Sequence, residues 1–198
     1  MPNFRHRLSR TQRVSYDRSD ALSAIPLRVS PRLARAIALM PVALSGEYAD
    51  EAERRRKVVK VVQVICDEIC QALRVDPPRV VVKGVRPIQD HAEYHGLYVS
   101  EGQTHEITLW MYTAKRKQVV APRTLLRTLV HEVVHHLDFT VFALEESFHT
   151  EGFFKRESSL VRQLERAVVN AAHAAQRSVP GRAAAVVALK SARADKGG

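Results

Sequence analysis

The stretch His131-Glu132-Val133-Val134-His135 sets two imidazoles four residues apart with a carboxylate between them. On a helix, residues four apart differ by about 40° around the axis and by one turn along it, so both rings can reach one ion. Imidazole nitrogens are good zinc ligands, and zinc lowers the pKa of a water bound to it to about 7. Glu132 falls beside the fourth coordination position, where a carboxylate can take that proton as the water attacks a carbonyl. The pattern predicts one Zn2+ ion, His131 and His135 as metal ligands, and Glu132 as general base.

A helical wheel sharpens the expectation. Leu126, Leu129, Val133 and Leu137 gather opposite His131, at roughly 160° to 240°. The face shared by His131 and His135 carries Thr124, Arg127, Thr128 and Asp138, which suits a polar cleft. His136 lies about 140° round from His131 and reads as a flanking residue rather than a ligand. Asp138 has two readings: a partner for the outer N–H of a ligand histidine, or a carboxylate in water at the helix end.

A zinc site needs a third protein ligand, and the residues leave it open. A third histidine six positions past the second, as in metzincins, is excluded because that position is Val141. A glutamate from a later helix, as in gluzincins, points to Glu157, with Glu146 and Glu151 behind it. The other choice is His149, in Ser147-Phe148-His149-Thr150-Glu151-Gly152-Phe153-Phe154.

The motif, followed by His149 with Phe153 four residues later, resembles the SprT-like zinc metallopeptidases over about residues 50–170. Thr150 stands where that element has glycine, and Gly152 is displaced. The resemblance implies His131, His135 and His149 as ligands, Glu132 as catalytic base, and hydrolysis of peptide bonds in a protein or peptide substrate. It also implies that the strand at residues 105–112 edges the cleft, where an extended peptide would pair with it. Some proteins of this family act on proteins held on DNA. For the charge developing on the attacked carbonyl, Tyr94, His95, Tyr112, His136 and Arg156 are the candidate stabilisers.

The elements that must position these groups follow from periodicity. Val58, Val62, Ile65, Ile69 and Leu73 recur at three or four, so residues 50–74 read as a helix ended by Asp76-Pro77-Pro78. Residues 79–85 and 96–99 read as strands, and 86–96 as loop. At 105–112, Ile107, Leu109 and Met111 alternate with Thr108, Trp110 and Tyr112, which predicts a strand with one side buried. Pro122 opens the motif helix, expected over 122–139. A last amphipathic helix carries Phe153, Leu160, Val161, Leu164 and Val168. Pro31 opens a short helix that Pro41 is expected to stop.

The result is an α+β, zincin-like domain over residues 46–176. A small, mainly antiparallel sheet packs on the helix bearing the HExxH motif, with flanking helices. Residues 1–45 read as a basic, largely flexible arm, because they lack a sustained apolar period, and 177–198 as a flexible tail.

Net charge is +10, from 31 Lys+Arg against 21 Asp+Glu, which permits nucleic-acid contact through a basic surface without selecting it. No apolar run approaches the roughly 20 residues of a membrane span. Cys66 and Cys70, four apart on a helix, suit buried thiols in a reducing, cytoplasmic setting better than a disulfide. Two rivals to the peptidase stand: a non-catalytic zinc-containing binding module, and a basic nucleic-acid-binding protein in which the motif is accidental.

Overall fold

The computed structural model describes residues 5–89, 92–93 and 95–177. Helices α1 (Arg10–Ala21), α2 (Pro31–Ser45) and α3 (Glu51–Ala72) precede strand β1 (Arg79–Val85). A two-residue pairing, β2 (Ile88–Gln89) with β3 (Ala92–Glu93), leads to β4 (Gly96–Glu101) and β5 (Thr104–Tyr112). Helices α4 (Pro122–Thr140) and α5 (Glu151–Arg177) complete the chain described. No helix among the described residues is long and apolar enough to cross a membrane.

The architecture is α+β, and its sheet is mixed rather than mainly antiparallel. Strand order is β1-β5-β4. β1 runs parallel to β5, pairing Arg79 with Glu106 and Val85 with Tyr112. β4 runs antiparallel to β5, with Gly96 opposite Leu109 and Tyr98 opposite Ile107. Strands read one after another suggest a meander, but β4 folds back on β5 and leaves β5's other edge to β1. Two expectations for residues 105–112 change with it. β5 is central and β4 takes the edge. Thr108 and Trp110, at 4% and 7% exposure, are buried as well as Ile107, Leu109 and Met111.

From residue 5 the N-terminal region is folded onto the body, which corrects the flexible arm expected at 1–45; residues 1–4 lie outside the described residues. Ser9 caps α1 in a reciprocal box with Gln12. The residues α1 buries are Ser15 and Ser19, so an apolar period could not reveal it. Helix α2 starts as expected, with Ser30 as cap and Pro31 in the first turn, but continues through Pro41 to Ser45. An interior proline costs about 3 kcal/mol. Against that, Leu33, Ile37, Met40 and Leu44 are buried at 9% exposure or less, each stabilising by roughly 1.5–3 kcal/mol. The packing wins. α2 lies along α3, whose Val58, Val62, Ile65 and Ile69 are fully buried. Cys66 and Cys70 are free, buried thiols of the core. The tail expected at 177–198 lies outside the described residues, except that Arg177 ends α5.

Candidate metal centre

The three predicted histidines meet. His149 Nε2 lies 3.0 Å from His131 Nε2 and 3.0 Å from His135 Nε2, and the three form a group able to hold one metal ion. His131 and His135 come from consecutive turns of α4, whereas His149 comes from the segment between α4 and α5. Phe153, fully buried, forms the floor: its ring centroid is 5.0 Å from His131, 4.7 Å from His135 and 5.0 Å from His149.

The outer nitrogens explain why the inner ones converge. His131 Nδ1 lies 3.1 Å from Glu157 Oε2. A carboxylate accepts, so Nδ1 carries the proton and the Nε2 lone pair points inward. His135 Nδ1 lies 2.7 Å from Ser147 Oγ, and Ser147 donates to Asp138 Oδ2 at 2.7 Å. With the hydroxyl proton engaged there, Ser147 accepts from His135, and that Nε2 is also an acceptor. Burial, then the neighbouring His131 and His149, pushes the His135 pKa down to about 3. Burial, with His131, also lowers that of His149. His149 Nε2 can turn an N–H to one of these two acceptor nitrogens but not to both, whereas a cation between the three satisfies all of them. Tetrahedral zinc bound at about 2.0–2.1 Å separates its nitrogens by about 3.3–3.4 Å; the two pairs at 3.0 Å fall a few tenths of an ångström short of that, and all three ligand atoms lie within 4.8 Å of one another. The residues fit the ion.

The other residues that the sequence offers as ligands or partners take different places. Glu157 is not in the ligand group; it orients His131 and accepts from Arg127 at 3.0 Å. Burial pushes its carboxyl up, but the hydrogen bonds from His131 and Arg127 outweigh this and hold it below the usual range. Glu146 accepts from Gln12 of α1 at 2.8 Å, and Glu151 pairs with Lys155 at the surface. Asp138 is fully buried, not in water, and serves His135 through Ser147.

Of the candidate carbonyl stabilisers, Arg156 is fully buried and bonded to Asp138, so it is no cleft residue. His136 is buried too, its Nε2 donating to Asp76 O at 2.8 Å and its Nδ1 meeting the Tyr98 hydroxyl at 3.2 Å. Tyr112 accepts from Arg54. His95 lines the cleft. Tyr94 lies outside the described residues.

What the sequence did not suggest is the support. Ser147 carries no pattern beyond its nearness to His149. The departures at Thr150 and Gly152 have local causes. Thr150 caps α5, its hydroxyl accepting from Phe153 N at 3.0 Å. A Cβ at Gly152 would collide with the Ser19 and Asp20 carbonyls of α1, so only glycine permits that approach. Tyr16 against Phe148, Arg18 on Phe142 O and Ser19 on Thr150 tie α1 to the segment carrying His149.

Glu132 sits between two hollows. One of about 490 Å³ is lined by His95, Thr124, Arg127, Thr128 and Glu157, and the other, about 390 Å³, by Leu97, Tyr98, Phe139 and Ser147. Both include Gly96, His131, Glu132 and His149. A Cβ at Gly96 would meet Glu132 and Thr128, so this glycine lets the β4 edge close on the carboxylate. No family model, curated protein or solved structure matches the chain.

Burial raises the Glu132 pKa from 4.5 to about 7, against the opposing effects of His131 and the Tyr98 backbone. A group whose folded pKa exceeds its unfolded one contributes stability in full below the unfolded value, and loses it as pH rises through the folded value. In the metal-free protein the contribution of Glu132 should fall by about 3 kcal/mol between about pH 4.5 and 7, while the depressed His135 raises stability over much of the same window, so the Glu132 effect is the difference between the wild-type and Glu132→Gln profiles. Urea unfolding of both proteins across that window is the measurement, with Glu132→Gln expected to gain stability relative to the wild type as the pH rises. Parallel profiles for the two proteins would contradict it.

Proposed function

We propose that the protein is a zinc-dependent metallopeptidase with a zincin-like fold, of the kind its motif resembles in the SprT-like family. The observation that carries this reading is the convergence of His131, His135 and His149 Nε2 beside the Glu132 carboxylate, in a cleft open on both sides. A zinc kept only for structure is normally closed by four protein ligands; here three histidines leave a position facing the cleft.

Bound there, zinc would supply an acidified water and polarise the substrate carbonyl. The protein's own groups do the rest. Glu132, raised toward neutrality by burial, accepts a proton from the attacking water and returns it to the leaving amine. The Tyr98 backbone, on the β4 side, favours the charged form of that carboxylate. β4 is an edge strand, so an extended peptide can pair with it along the main chain, close to Glu132 because Gly96 has no side chain. Protein substrates held on nucleic acid suit the net charge of +10.

Metal analysis tests the proposal. The purified protein should hold one zinc per chain, and His149→Ala should lose it. Glu157→Gln and Ser147→Ala, which disturb only the outer nitrogens, should weaken zinc by roughly 10–100-fold in chelator competition. Full zinc retention by His149→Ala would remove the third ligand and the open-site argument together.

A further inference from the structure

Two arginines lie one turn apart on the exposed side of α4, and each pairs with a glutamate of α5. Arg123 engages Glu165 with two nitrogens, Nε to Oε1 at 2.7 Å and a terminal nitrogen to Oε2 at 3.3 Å. It does not line the larger cleft. Arg127 differs on both counts. One terminal nitrogen reaches Glu157 Oε1 at 3.0 Å, and the side chain, half exposed, forms part of the cleft wall beside His131 and Glu132.

Glu157 takes one arm of that guanidinium on Oε1 and holds His131 with Oε2. Its charge is therefore shared between Arg127 and a ligand histidine, while four of the five N–H donors of a guanidinium remain for other partners. The neighbouring wall is polar but uncharged at Thr124 and Thr128. Thr128 turns its hydroxyl back onto Thr124 O at 3.0 Å. The carboxylates that line this hollow are Glu132, shared with the second hollow, and Glu157, already paired. A cationic fork next to the scissile bond matches a carboxylate of the substrate in shape as well as charge.

We infer that Arg127 is a specificity-determining residue, making this hollow a subsite for a substrate carboxylate beside the cleaved bond. The inference rests on the peptidase reading. The carboxylate has two sources, an Asp or Glu side chain or the free end of the peptide chain. Both present the same group to the guanidinium.

Zinc-loaded protein is given peptide mixtures carrying Glu, Gln or Lys at each position flanking the cut, with either a free or an amidated C-terminus. Cleavage sites are mapped by mass spectrometry. At one flanking position Glu should exceed Gln in kcat/KM by roughly tenfold or more, the range of a charge-assisted hydrogen bond. A preference for free over amidated ends instead would assign the chain terminus as the source. Arg127→Gln, which keeps a donor toward Glu157, should flatten the ratio, and Arg127→Lys should restore much of it. Binding gives a second readout without turnover: Glu132→Gln protein, zinc-loaded, should hold the Glu peptide roughly tenfold more tightly than the Gln peptide by fluorescence anisotropy.

Cleavage at equal rates for charged and neutral peptides, or an Arg127→Gln protein with an unchanged ratio, overturns the inference alone. Absence of cleavage of every peptide by protein shown to contain zinc overturns the peptidase reading, and the inference with it.

Discussion

Replacing Glu132 by Gln is expected to lower kcat/KM for peptide cleavage by roughly 10²–10⁴-fold, the usual contribution of a general base, while one zinc per chain is retained. The separation of the two effects is what makes the variant informative. Glu132 lies next to His131 in sequence but is not among the groups that converge on the ion site. Its carboxylate feels the Tyr98 backbone and packs against Gly96, both on β4. Gln has the same length and shape and can pack against Gly96 in the same way, so the edge strand should keep its place. What is lost is the capacity to take a proton. Zinc analysis and steady-state kinetics on the same preparation check it. Loss of zinc in this variant would make Glu132 a ligand; undiminished cleavage would place the base elsewhere and end the mechanism proposed for it.

The part of the site that chemistry dictates directly is legible in the sequence. Two histidines and a glutamate on a helix of known period leave little freedom, and α4 extends one residue beyond the expected 139. The wheel is less informative about surroundings. It separates a polar from an apolar face, yet His136 and Asp138 are both fully buried. A polar side chain with a dedicated partner can be buried as completely as leucine, and such partners come from distant segments: Asp76 for His136, Arg156 for Asp138. Glu157 illustrates the same limit. Residue type and position suit a ligand or a ligand's partner equally, and only the distance to His131 Nδ1 rather than to the shared Nε2 point decides.

The N-terminal helices escape a sequence reading for two different reasons. At Pro41 a local rule that ends α2 is outweighed by burial of a stripe on both sides of the proline. α1 docks through hydroxyls, an amide, a carboxylate and an arginine, which give no hydrophobic period. The sheet order is hidden for a topological reason. Alternation identifies a strand but does not say which neighbour it pairs with, so the place of β4 at the cleft edge has no local signature.

Arg156→Met should destabilise the protein by about 3–5 kcal/mol, the range found when one partner of a buried ion pair is removed. Arg156 and Asp138 are both at 0% side-chain exposure and 2.8 Å apart. The same guanidinium donates to Ser19 O at 2.5 Å, to Leu22 O at 2.8 Å and to Ser19 Oγ at 3.0 Å. It thus joins the end of α1 to α4 and α5 while lying 5.8 Å over the Phe153 ring that floors the metal site. Methionine fills much of the space and satisfies none of these acceptors.

The pH dependence identifies the dominant part of that loss. Burial already raises the Asp138 carboxyl above its usual range, against the pull of Ser147 and Arg156. Without Arg156 it rises further, so acidification neutralises the stranded charge in the folded variant before it does so in the wild type. The deficit of Arg156→Met should therefore shrink between about pH 8 and pH 5, and Arg156→Met with Asp138→Asn should be more stable at pH 8 than Arg156→Met alone. The stability that the double variant does not recover measures the carbonyls of α1 left without donors, and proteolysis between α1 and α2 should quicken in both proteins. A deficit below about 1 kcal/mol, or one equal at both pH values, would mean that α1 and the motif helix are held together by something other than this guanidinium.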